Sequence, residues 1–150
     1  MDRTDARILQ RLKRDSSLSL NDLADAVGLS PSACHRRVKL LEKSGVISGY
    51  AARLDRMALG LTIQAFVEIS LTSQSEESLT AFEEAVTRTD EILECHMVAG
   101  GFDYLIKARV ADMEAYRSFL GEVLVQMPGV RETRTYAVLE EVKNTVRLPL

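Results

Sequence analysis

The chain has 150 residues, 46% of them hydrophobic, and a formal charge of −3, which suits one ordinary domain or two small ones with a real core. No apolar run approaches the roughly 20 residues of a membrane-crossing helix. The start "MDRTDARILQ" is charged and amphipathic, unlike a secretory signal or transit peptide, so a cytoplasmic chain without a membrane partner is expected. Cys34-His35 and Cys95-His96 tempt one toward a metal. Neighbouring residues diverge by about 100° on a helix and about 180° on a strand, so neither pair converges on one ion. No metal and no cofactor is expected.

Charge divides the chain. Residues 1–56 hold 11 Lys and Arg against 7 Asp and Glu, a net of +4, while residues 57–150 hold 8 against 15, a net of −7. A basic module suited to a polyanion is thus joined to an acidic module with another task.

In chain order, Thr4 to Arg14 places Ile8, Leu9 and Leu12 on one helical face. "SLNDLADAVG" opens with Ser19 and Asp22 at capping-box spacing, sets Leu20, Leu23, Ala24 and Val27 at helical intervals, and stops at Gly28. Ser30 reads as the cap of a third helix with Pro31 at its first position. Only "GLS" separates the second and third helices, which makes a helix-turn-helix.

At about 100° per residue, Cys34, Val38 and Leu41 form the core seam of the third helix. Ser32, Arg36, Lys39 and Lys43 gather on the opposite side with His35 beside them, and Arg37 flanks the seam. A small, basic, donor-rich face suits DNA phosphates and the acceptor edges of purines. "VISGYAARLD" follows as a strand-like run, a hairpin or wing, in which Arg53 and Arg56 either reach phosphates or are simply solvated.

From Gly60 the period changes. "TIQAFVEISL" alternates as a strand, a helix runs from about Ser75 to Arg88, and "ILECHMVA" and "YLIKARV" are strands about the turn "GGFD". Asp112 caps a second helix that continues to Pro128-Gly129, and a last strand runs from about Val130 to Val142. The order β-α-β-β-α-β is the ferredoxin-like arrangement. Two helices cover one face of four strands, so a partner subunit is the simplest cover for the other. The fold class is α+β: a winged helix-turn-helix domain (1–50), a linker strand (51–60) and a ferredoxin-like domain (61–150).

The stretches "GLSPSACHRRVKLLEKSGVISGY", "ECHMVAGGFDYLIKARVADMEAYRSFLGE" and "PGVRETRTYAVLEEVK" resemble the Lrp/AsnC, or feast/famine, family of transcriptional regulators over nearly the whole chain. The resemblance implies an N-terminal DNA-binding domain, a linking strand and a domain that binds an amino acid, leucine-like or another small one. It further implies homodimers formed through the sheets that assemble into octamers or similar rings, on nucleoid DNA in the cytoplasm.

Carried over by position, Ser30, Ser32, His35, Arg36, Arg37 and Lys39 match the part of the family's recognition helix that approaches double-stranded DNA. Arg37 stands where the family usually has arginine, while His35 and Arg36 replace the Leu-Glu typical of one branch. Met97, Gly100, Gly101, Phe102, Asp103, Met113, Thr133, Thr135, Tyr136, Ala137 and Val138 match the region that sets the family's effector response. Gly101 stands where an acidic residue is often found. For a free amino acid, Gly100-Gly101 can offer backbone N–H groups to the carboxylate and Asp103 can meet the ammonium. The same "GGFD" also fits a plain hairpin turn.

No nucleophile–base pair, metal-ligand spacing or phosphate loop supports an enzyme. The expected function is a sequence-specific regulator responding to an amino acid. The alternative is a DNA-organising, chromatin-type protein with little sequence preference and no effector.

Overall fold

Asp2 starts the first helix. In this computed structural model, which describes residues 1–145, the Asp2 carboxylate accepts the backbone N–H groups of Thr4 and Asp5, both at 2.8 Å. The Asp5 carboxylate in turn accepts the Asp2 N–H at 3.0 Å. This reciprocal capping box satisfies donors that the helix leaves open and begins α1 (Arg3–Arg14). Ser19 caps α2 (Leu20–Val27) by accepting the Asp22 N–H at 3.1 Å. The box expected there stays one-armed, because the Asp22 carboxylate takes the Ser19 hydroxyl at 2.6 Å.

Gly28 closes α2 at φ 70°, a left-handed conformation that glycine adopts without a Cβ penalty. Ser30 then accepts the Ala33 N–H, Pro31 takes the first position, and α3 (Pro31–Lys43) follows. Ile8, Leu23, Ala24, Val27, Cys34, Val38 and Leu41 form the core of this unit, with Leu9, Leu12, Leu18, Leu29 and Ile47 packed around it. The seam expected on α3 is the seam observed.

The chain divides into two compact units, Met1–Arg53 together with residues 143–145, and Leu54–Val142. The wing expected in "VISGYAARLD" and the linker strand expected over 51–60 carry no strand. Local bonding opposes extension over residues 55–59. The Asp55 carboxylate accepts the N–H groups of Met57 and Ala58, and the Asp55 carbonyl accepts that of Leu59 at 3.1 Å, which curls the backbone into a turn.

The second unit runs β1 (Ile63–Leu71), α4 (Glu76–Thr87), β2 (Ile92–Met97), β3 (Tyr104–Val110), α5 (Met113–Ser118) and β4 (Val130–Ala137). The strands lie in the order β2-β3-β1-β4 and every neighbouring pair is antiparallel. Alternation along β1 sends Ala65, Val67, Ile69 and Leu71 into a core shared with Phe82, Val86, Tyr104, Ile106, Tyr116, Phe119 and Leu124. The Phe82 and Tyr104 rings pack with centroids 4.8 Å apart, and the Tyr104 hydroxyl donates to Glu83 at 2.7 Å. The opposite face presents Phe66, Glu68, Leu105, Lys107 and Tyr136.

Two element ends differ from expectation. The helix after Asp112 is regular only to Ser118; a π turn (Phe119–Val123) and a 3-10 turn (Leu124–Gln126) complete it. The Leu124 N–H reaches the Phe119 carbonyl, so residues five apart point the same way and both Phe119 and Leu124 are buried. Strand β4 ends at Ala137 rather than Val142. The Val138 N–H makes one last bond to the Gln64 carbonyl at 2.9 Å, and the chain then leaves the sheet.

Candidate DNA-binding face and effector residues

Helix α3 buries Cys34, Val38 and Leu41, so its other side is open. Ser32, His35, Arg36, Lys39 and Lys43 are all exposed on it. Among the described residues His35, Arg36 and Lys43 make no hydrogen bond or ion pair through their side chains, so their donors are available to a ligand. Lys39 donates to Glu42 at 2.7 Å, an exposed pair that costs little to exchange. Ser30 holds the Ala33 N–H and lies 3.3 Å from the Ser32 hydroxyl, which places it at the helix N-terminus. Leu40, 59% exposed, was missed in the sequence. Its signal is its angle, since it falls off the Cys34–Val38–Leu41 seam beside Arg36.

Arg37 stands apart from this face. Its Nη1 donates to Asp2 at 2.7 Å and to Asp5 at 2.8 Å, the two carboxylates of the α1 capping box. The Asp5 backbone N–H and then the Arg37 guanidinium hold the Asp2 carboxyl below the usual carboxylate range. The sequence carries a sign of this arrangement in the Asp2 and Asp5 spacing, but nothing in it joins them to a residue 35 and 32 positions away.

The residues matched to an effector site do not all gather in one place: Asp103 and Thr133 both flank Ile69 of β1, whereas others lie apart. Met97 lies on β2 and Tyr136 on β4, the two outer strands, separated by three strand spacings or about 14 Å. Thr133 and Thr135 pair with Ile69 and Val67 on the helix-covered side, while Tyr136 pairs with Phe66 on the open side. The Thr135 and Tyr116 hydroxyls meet at 2.5 Å, and the Tyr136 hydroxyl donates to Glu68 at 3.0 Å. Ala137 ends β4 and Val138 is half-buried beyond it. Met97 and Met113 are 58% and 52% exposed, apolar side chains turned outward.

The "GGFD" turn takes the plainer form. Neither Gly100 nor Gly101 has a positive φ, so their N–H groups do not form the alternating nest that grips an anion. The Asp103 carboxylate accepts the Leu71 N–H at 2.7 Å and the Gln74 side-chain amide at 2.6 Å. Its backbone N–H donates to Ile69 and its carbonyl accepts from Val98. Asp103 thus ties the turn, with half-buried Phe102 beside it, to the end of β1. An ammonium would have to share those two oxygens.

Arg56, which the sequence left between phosphate contact and solvation, pairs with Glu141. Buried Arg109 donates to the Gln64 side chain and to the Leu61 carbonyl, and lies 3.6 Å from Glu141. This cluster fixes the chain entering β1 and the chain leaving β4 on the open side. Burial first, then the charge of Glu83, pushes the Cys95 thiol up to about 11, which keeps it protonated and a poor metal ligand at neutral pH. No group of three metal-ligating side chains occurs among the described residues, and no helix among them is long and apolar enough to cross a membrane.

Comparison with known proteins follows the same division. Residues 1–48 match the winged helix-turn-helix DNA-binding family model and residues 64–148 match the Lrp/AsnC ligand binding domain. The leucine-responsive regulatory proteins of Klebsiella pneumoniae and Escherichia coli K12 are each 48% identical over 148 residues, covering 99% of this chain and 90% of theirs. A Neisseria meningitidis transcriptional regulator solved in complex with L-Met superimposes with a TM-score of 0.95 at 36% identity, over 99% of this chain and 96% of that one. An AsnC family transcriptional regulator from Agrobacterium tumefaciens does so with a TM-score of 0.94 at 36% identity, over 99% and 97%. The outward basic face of α3, the four-stranded sheet behind two helices, and these likenesses over nearly the full length agree: the chain belongs to the Lrp/AsnC family of transcriptional regulators, with a winged helix-turn-helix DNA-binding domain and an Lrp/AsnC ligand-binding domain.

Proposed function

We propose that α3 enters the major groove and reads operator DNA with Arg36 and His35, while Ser30, Ser32, Lys39 and Lys43 hold phosphates. The observation that carries this reading is an exposed row of donors, largely without internal partners, opposite a fully apolar seam. A guanidinium matches the O6 and N7 acceptors of guanine, and exposed Leu40 suits a thymine methyl. Arg37 acts from behind, bracing α3 against the start of α1.

The effector is an apolar amino acid of leucine or methionine size. The names of the relatives and the L-Met complex of the Neisseria neighbour support that size, and exposed Met97 and Met113 support its apolar character. Because Met97 and Tyr136 lie on opposite sheet edges, the site is completed by a second subunit, within homodimers that build an octamer or similar ring. An amino acid that favours one assembly shifts DNA binding by the difference in its affinities, typically about 1–3 kcal/mol.

The test is thermal unfolding of the full chain with each of the twenty amino acids in turn, since a ligand selective for the native state raises the midpoint. A rise with leucine or methionine, accompanied by altered DNA binding, supports the reading. No rise with any of the twenty refutes the effector.

A further inference from the structure

Arg3, Arg7, Arg11 and Arg14 recur along α1 at intervals of four, four and three, and all are exposed. At about 100° per residue they fall in a sector of about 80°, on the side of the helix turned away from Ile8, Leu9 and Leu12. The row is ~17 Å long. Among the described residues none of the four guanidiniums makes an ion pair or hydrogen bond, in contrast to Arg37.

Helix energetics explain only half of this row. Cations in the last turn offset the negative end of the helix dipole, which accounts for Arg11 and Arg14. Arg3 and Arg7 sit in the other half, where the positive end opposes them. Each arginine also repels the next, three or four positions on. A regular row of anions would relieve that repulsion. One strand of B-DNA sets a phosphate every ~3.4 Å along its axis, so the row spans about five of them. Guanidinium forks bind phosphate through paired hydrogen bonds. The module already binds DNA, which brings such a row of phosphates close to it.

We propose that the outer face of α1 is a second DNA-binding surface, where Arg3, Arg7, Arg11 and Arg14 contact backbone phosphates irrespective of sequence. It lies on a different helix from the α3 face and on the far side of α1 from their common core. The phosphates come either from the flank of the same duplex or from a second duplex segment.

The experiment uses the full chain and mixed-sequence duplexes of about 25 and about 300 base pairs, with affinity followed against salt. Four proteins are compared with the parent: R3Q/R7Q, R11Q/R14Q, the quadruple Gln variant and the quadruple Lys variant. Each phosphate no longer neutralised lowers the slope of log affinity against log salt by about 0.9, so the quadruple Gln variant should fall by about 3 to 4 and each pair by about half of that. The Lys variant should keep the parental slope. A fall already present on the short duplex assigns the phosphates to the flank of the bound site. A fall confined to the long duplex, with weaker capture of a labelled duplex by an immobilised one, assigns a second segment. Unfolding midpoints confirm that each variant is folded, and the paired variants report if the quadruple does not fold. Parental slopes and undiminished capture in the Gln variants would overturn the proposal, even if binding of an acidic protein were weakened. So would a Lys variant whose slope falls as far as that of the Gln variant.

Discussion

Arg37 Nη1 lies 2.8 Å from Asp5 Oδ1 and 2.7 Å from Asp2 Oδ2, so one nitrogen of α3 closes the capping box of α1. The guanidinium is already matched by two carboxylates, which leaves it a poor phosphate ligand. Arg37→Ala should therefore lower the thermal midpoint of the free protein and change the salt slope of DNA binding by much less than the ~0.9 that one neutralised phosphate carries. The destabilisation should be non-additive with Asp2→Asn and Asp5→Asn, and additive with Arg36→Ala. Additivity throughout would place Arg37 outside the brace.

The same brace responds to acid. Asp2 is held below its ordinary value in the folded chain, by the Asp5 N–H first and Arg37 next. A group depressed on folding stabilises the fold fully above its unfolded value, and that contribution is lost as pH falls through the lower folded value. The helix-turn-helix unit should thus lose stability below the usual carboxylate range. Asp2→Asn should flatten that part of the profile, as measured by denaturant midpoints across acidic pH. A profile identical in the parent and the variant would remove Asp2 from the linkage.

Asp103 is expected to matter for folding before it matters for any ligand. Its carboxylate takes the Leu71 N–H, so Asp103→Ala leaves a half-buried backbone donor unpaired and should cost about 1–3 kcal/mol without any amino acid present. Asp103→Asn retains an acceptor and should recover part of that stability. Chemical denaturation of the three proteins measures it. A parental midpoint for Asp103→Ala would return Asp103 to the effector site as a free carboxylate.

What was legible in the sequence follows from the range of the forces involved. The α3 seam, its Ser30-Pro31 start and the Gly28 stop are local signals, and each appears where the spacing placed it. Strand alternation gave Ala65, Val67, Ile69 and Leu71 their common face for the same reason. The misses involve bonds whose partners are distant or whose local competition is subtle. Arg37 pairs across more than 30 residues with Asp2 and Asp5, and Asp103 reaches back to Leu71 and Gln74. The π turn depends on burying both Phe119 and Leu124, which a regular helical period does not do. The supposed linker strand met competition from Asp55, whose carboxylate bonds the next turn instead.

Met97 and Tyr136 on opposite sheet edges predict a site shared between subunits. Light scattering should give a mass at least twice the 16.7 kDa of one chain at micromolar concentration. Effector binding should be lost in Met97→Asp alone and in Tyr136→Asp alone, then partly restored when the two proteins are unfolded together and refolded. Mixed assemblies would contain junctions with both residues intact. A monomer, or complete binding by either variant, would contradict a shared site.

The outward face of α3 is the centre of the functional reading, and Arg36 tests it most directly. Duplexes selected from a random pool by the parent protein supply an operator, and affinity for it is compared with affinity for mixed-sequence DNA. Arg36→Ala should cost about 1–3 kcal/mol on the operator, relax preference at one base pair, and cost far less on mixed sequence. Lys43→Ala should weaken both alike. If Arg36→Ala left operator and mixed-sequence affinities at parental values, α3 would not be reading the groove through this face.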